Sequence, residues 1–115
     1  MEKLTSFSND LVFTDQKVNV SLILETPFSK ELRIAFKEGQ VMKEHKTPFP
    51  IIVHLLEGTV DFGAKGEVIR LQKGAVISLE GHIPHDLKAI EQSVIRLTLS
   101  KNDTAERVSD VAENS

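Results

Sequence analysis

Apolar and polar residues alternate along most of this chain. Val18, Val20, Leu22 and Leu24 interleave with Asn19, Ser21, Ile23 and Glu25, and Leu32, Ile34 and Phe36 interleave with Arg33, Ala35 and Lys37. Val60 and Phe62 sit beside Thr59 and Asp61, while Ile95, Leu97 and Leu99 are separated by Arg96 and Thr98. Successive strand side chains point to opposite faces, so this alternation predicts strands with one buried face. Ile51–Leu56 and Val76–Leu79 are more continuously apolar, which predicts strands covered on both sides. The charged positions Arg33, Lys37, Asp61, Arg70 and Arg96 then read as a solvated face.

Turn residues punctuate these runs at Glu38-Gly39, Glu57-Gly58, Gly63-Ala64-Lys65-Gly66, Lys73-Gly74 and Gly81. Reversals spaced about 8–12 residues apart predict an all-β sandwich or barrel. Pro48 and Pro50 interrupt the ladder before Ile51, so side-chain parity cannot be counted across them. A weak repeat is present. Phe36-Lys-Glu-Gly39-Gln-Val41 leads to His45, and Leu71-Gln-Lys-Gly74-Ala-Val76 leads to His85. Two similar units, each ending near a histidine, predict half-barrels facing one interior. At the ends, residues 1–16 read as a lead-in strand or cover. Ala105, Val108, Val111 and Ala112 have helical spacing in a polar tail, leaving a short helix and a disordered terminus both open.

Composition narrows the function. The 115 residues predict one domain. With 14 basic and 17 acidic side chains and no basic block, a nucleic-acid partner bound by neutralising phosphates is not expected. The absence of cysteine removes thiol nucleophiles, iron–sulfur clusters and Cys-ligated zinc. Met1–Asp10 carries no apolar signal segment, and no run approaches the roughly 20 apolar residues needed to span a bilayer. The expectation is a cytoplasmic protein without a membrane partner. Gly63-Ala64-Lys65-Gly66 lacks the Gly-Lys-Ser/Thr tail of a phosphate cradle and reads as a hairpin turn.

The histidines and glycines together carry a family resemblance. Gly39, five residues, His45, one residue, Thr47, three residues, Ile51, six residues and Gly58 resemble the first cupin motif in spacing. Gly74, ten residues and His85, preceded by Pro84, resemble the second, with fifteen residues between Gly58 and Gly74. The resemblance spans about residues 30–100. It implies a cupin-type jelly-roll β-barrel, an N-terminal strand or cover over 1–29, a polar tail over 101–115, and usually a homodimer. The core also resembles the ligand-binding portion of AraC-type transcription regulators. The residues after Ser100 are too few for a helix-turn-helix, so any signal is expected to be read by another component.

In metal-binding cupins four slots converge on a divalent ion, and here they are filled by His45, Thr47, Ile51 and His85. Isoleucine cannot coordinate, and threonine is a poor ligand for iron, zinc, manganese or nickel. Two histidines fall short of the usual three protein ligands. His82, three residues before His85, is the candidate for a third. The second motif also departs from the pattern, with Glu80 and His82 where proline and glycine are common. His54 is expected to face outward and Glu44 to point away from the pocket. Phe49 is either a lid or a packed loop residue.

Three readings follow. The first is binding of a small, partly apolar ligand by His45, Thr47, Ile51 and His85, with no cofactor. The second is a metal-dependent oxygenase or isomerase using His45, His85 and a further ligand. The third is a metal-free isomerase or lyase with a histidine base.

Overall fold

Two antiparallel sheets pack their apolar faces together. The computed structural model describes residues 3–115. In chain order the strands are β1 (Asn19–Glu25), β2 (Ser29–Phe36), β3 (Val41–His45), β4 (Ile51–Glu57), β5 (Thr59–Ala64), β6 (Glu67–Gln72), β7 (Val76–Leu79), β8 (His85–Ala89) and β9 (Ser93–Ser100), followed by helix α1 (Ala105–Glu113). One sheet has the order β1-β2-β9-β4-β7 and the other β3-β8-β5-β6. Leu32, Val53 and Ile95 from the first meet Met42, Val60, Phe62 and Leu87 from the second in a single core. This is the all-β barrel that the alternation and the resemblance predict, and of the two outcomes left open for the tail it has the short helix.

Turn chemistry closes the barrel where glycine is required. Lys65 and Gly66 both have positive φ, 55° and 75°, the requirement of a two-residue hairpin matched to strand twist. Gly63 and Ala64 belong to β5 rather than to that turn. Gly58 joins β4 to β5 at φ 90°. A Cβ there would lie 2.1 Å from Ser93 Oγ, and Ser93 Oγ accepts the Thr59 N–H at 3.1 Å.

Burial differs from the expected pattern in two places. Ile51–Leu56 and Val76–Leu79 are not covered on both faces. Ile52 is 42% exposed and Val76 61% exposed, because β4 has an open outer face and β7 lies at a sheet edge. Conversely, Arg33 is not solvated. Only 3% of it is exposed, because the N-terminal segment lies over the outer side of β2. Its guanidinium donates to the carbonyls of Phe7, Asn9 and Asp10 at 2.7–3.1 Å. Arg96 stacks over the Phe7 ring at 5.1 Å and pairs with buried Glu31. Residues 7–10 are therefore a peptide held by arginine, since a buried guanidinium must find acceptors for its N–H groups; residues 1 and 2 of the expected cover lie outside the described residues.

The tail forms a helix. Thr104 caps it by accepting the Arg107 N–H, and Val108 and Ala112 are buried against the barrel.

Replacing Arg33 by Met is expected to destabilise the fold by about 1–3 kcal/mol and to expose residues 7–10 to protease. Urea unfolding and limited proteolysis measure both effects, and an unchanged midpoint and cleavage pattern would refute this role for Arg33.

Candidate functional site

The two motif histidines meet inside one end of the barrel. His45 ends β3, His85 begins β8, and the two are direct cross-strand partners. Their ring centroids are 4.3 Å apart at an interplanar angle of 62°, and Phe62 packs edge-on to His85 at 5.7 Å.

His45 faces inward only because β3 contains a bulge. Register shifts between Met42↔Leu87 and His45↔His85, so three steps on β3 match two on β8. The extra residue lets Met42 and His45 share the inner face, while Lys43 and Glu44 are both exposed.

Each ring is anchored through Nδ1. His45 Nδ1 bonds the Lys43 carbonyl at 2.6 Å, and His85 Nδ1 bonds the Ile83 carbonyl at 2.9 Å. A carbonyl can only accept, so both neutral rings carry their proton on Nδ1 and leave Nε2 with a free lone pair. Burial lowers the His45 pKa from 6.5 to about 4. The Lys43 carbonyl opposes that shift, and the charges of His85 and Arg107 add to it. Burial is also the main cause lowering His85, opposed by the Ile83 carbonyl and reinforced by Arg107. Both imidazoles are neutral near pH 7.

Around them the wall is apolar. Ile51, Val53, Leu97 and Val108 line the same interior cavity as the two histidines, and its volume is about 10 Å³. That is the lower limit for a single water, which needs roughly 10–15 Å³. Outside it, a groove of about 600 Å³ runs between β3 and α1 past His45 and Arg107.

The remaining expected site residues fall as follows. Ile51 is buried in the cavity wall. Thr47 is buried, but its hydroxyl donates to Asp103 Oδ2 at 2.8 Å and is committed to that bond. His82 is exposed at φ 68°, its backbone N–H donating to the Thr47 carbonyl at 2.6 Å, and it does not line the cavity. His54 lies on the outward side of β4 between Val53 and Leu55, both buried. Among the described residues, no group of three or more His, Asp or Glu side chains is placed to hold a metal ion.

Three residues escaped the sequence reading. Asp103, 3% exposed, accepts from Thr47, from the Thr104 N–H and from both Nε and Nη2 of Arg107 at 2.8–2.9 Å. Burial works against its charge, but the bonds from Arg107, Thr47 and Thr104 outweigh that and hold its pKa below the usual carboxylate value. Arg107 Nη1 is buried with no partner among the described residues. Val108 carries α1 into the cavity. The available signals were the helical spacing around Val108, the Thr104 cap and an i,i+4 Asp–Arg pair.

Two facing antiparallel sheets with motif histidines paired across β3 and β8 define a small cupin, the double-stranded β-helix barrel. The chain belongs to the family of AraC-like ligand-binding domains, whose model matches residues 29–101. Among solved structures it is similar to an RmlC-like cupin from Desulfovibrio desulfuricans, with 25% identity and a TM-score of 0.79 over 87% of this chain and 97% of that one. KdgF from Halomonas shares 20% identity and a TM-score of 0.76, covering 90% and 97%. A double-stranded β-helix protein from Klebsiella pneumoniae shares 16% and 0.78, covering 90% and 93%. The last two likenesses extend to the fold alone. No curated protein matches the chain.

The depressed histidine pKa gives a pH dependence. Between about 4 and 6.5 the unfolded chain binds more protons than the folded one at His45, so stability must fall as pH drops through that window. The melting temperature is expected to decline by several degrees over it, and His45→Gln is expected to flatten the decline. An equally steep profile in the variant would refute the assignment.

Proposed function

We propose that this chain binds a small, largely apolar molecule bearing a hydroxyl group inside the barrel. The observation that carries this reading is the pair of anchored, neutral imidazoles set in an apolar wall. Each offers one Nε2 acceptor and no donor. Arg107 has a buried Nη1 lacking an acceptor, and its charge acts on both histidines. A hydroxyl satisfies both sides, donating to an imidazole and accepting from the guanidinium. Ile51 and Val53 would pack the apolar body, and Thr47 would serve by holding Asp103. Membership of a ligand-binding domain family supports the same reading.

A metal-dependent oxygenase or isomerase is the second reading. One observation favours it, namely that metal-ligating histidines are usually oriented by a hydrogen bond at the other ring nitrogen, as both are here. The donor set does not fit a protein-completed site, since Thr47 is engaged by Asp103 and Ile51 has no donor. We keep a homodimer in the proposal because Phe28 and Ile52 flank an open groove on the outer face of the β2–β9–β4 sheet, apolar surface that a second copy would cover.

Titration with phenol, followed by the imidazole proton resonances, tests the first reading. His45 and His85 should shift together and saturate, and His85→Ala should weaken binding by roughly ten-fold or more, the loss of a buried hydrogen bond. Shifts confined to His54 and His82 would refute it. Zinc titration tests the second. Weak binding that nothing saturates is expected, whereas one tightly bound ion per chain, lost in His45→Ala, would favour the enzyme.

A further inference from the structure

We infer that α1 is a plug occupying the ligand's place in the barrel, and that filling the barrel expels it. The inference rests on the ligand-binding reading above and adds to it a conformational response. Val108 lines the same cavity as His45, His85 and Ile51, and with Val108 in place the volume is about 10 Å³. No organic molecule fits a space at the limit for one water. A ligand filling this space must therefore move part of its wall, and Val108 is the wall residue that α1 carries, with the groove between β3 and α1, lined by Lys43, His45 and Val111, giving the approach.

Much of what holds α1 is polar, supplied by side chains and backbone far away along the chain. Thr47 donates to Asp103 at 2.8 Å, and Asp103 in turn grips Arg107. Lys30 donates to the carbonyls of Lys101 and Asp103. At the far end Lys17 pairs with Glu113, and Ser115 Oγ accepts the Lys43 N–H at 2.9 Å. Only Val108 and Ala112 of the helix are buried. Its nine residues fall below the roughly 12–15 at which an isolated helix becomes even marginally stable in water. Once lifted from the barrel, α1 should therefore melt rather than swing aside intact. Occupancy of the interior would be reported as order or disorder of the chain's last turns.

The test combines hydrogen exchange of residues 105–113 with histidine acylation by diethyl pyrocarbonate in the full chain. In the unmodified protein buried His85 should react roughly ten-fold or more slowly than exposed His82, in proportion to the small open fraction. Two variants loosen α1 by different means. Thr47→Val removes the Asp103 clamp, and Val108→Thr keeps the shape but buries a hydroxyl. Both should speed α1 exchange and His85 acylation in parallel, with His82 unchanged. The plug is overturned if the variants free α1 without speeding His85, or if neither variant speeds α1 exchange. It is equally overturned if His85 reacts as fast as His82 from the outset. Phenol separates this inference from the reading beneath it. Phenol bound at the histidines with α1 protection unchanged would overturn the plug. Phenol failing to bind even when both variants have freed α1 would overturn the ligand reading and leave the plug standing.

Discussion

One extra residue in β3 determines what this barrel contains. Met42 and His45 are three positions apart, and an unbroken strand would place them on opposite faces. The bulge between them puts both inside and sets His45 against His85. Without it Glu44 would take the inner position, and a carboxylate would be turned toward an apolar wall. The same irregularity frees the backbone of Lys43 from the ladder, and both freed groups are used. Its carbonyl accepts from His45 Nδ1, and its N–H donates to Ser115 Oγ. A single local distortion thus aims an imidazole, fixes its tautomer and docks the end of the chain.

The electrostatic character of the interior follows from that arrangement. Both histidines are desolvated and bonded to carbonyls, with Arg107 acting on each. Desolvation and the nearby guanidinium both disfavour the imidazolium, and the carbonyl bonds recover only part of that cost. The result is a pair of neutral acceptors at physiological pH. Arg107 is the opposite case. Asp103 takes its Nε and Nη2 in a bidentate pair, leaving Nη1 buried and unmatched. A buried donor without an acceptor is rare in folded proteins because it forfeits its hydration. Two imidazole acceptors line the interior, and Arg107 borders the groove that runs past His45.

Much of this was legible in the sequence, for definite physical reasons. Alternation and glycine spacing located the strands, because period two and positive φ are local properties that each residue carries itself. The paired repeats ending at His45 and His85 indicated a shared interior, and the rings are in contact. Burial of Arg33 was hidden because it depends on acceptors more than twenty positions away, at Phe7, Asn9 and Asp10. The openness of β4 and β7 was hidden because an apolar run does not reveal whether anything covers it. Asp103 and Arg107 were hidden in a tail whose polarity resembled disorder. Their meaning depends on Thr47, a contact that spans 56 positions.

Thr47 and Ile51 are used in a consistent way. Thr47 holds Asp103, which organises the first turn of α1. Ile51 forms part of the wall that receives Val108 from that helix. A histidine or glutamate at either slot would need a partner or a cation where an apolar side chain now sits. Both side chains thus serve the docking of α1, since an apolar wall accepts Val108 and the Thr47 hydroxyl reaches Asp103. Fold alone assigns no activity to a barrel of this kind. What this barrel shows is that two anchored imidazoles and a helix of the chain itself line the same small interior space.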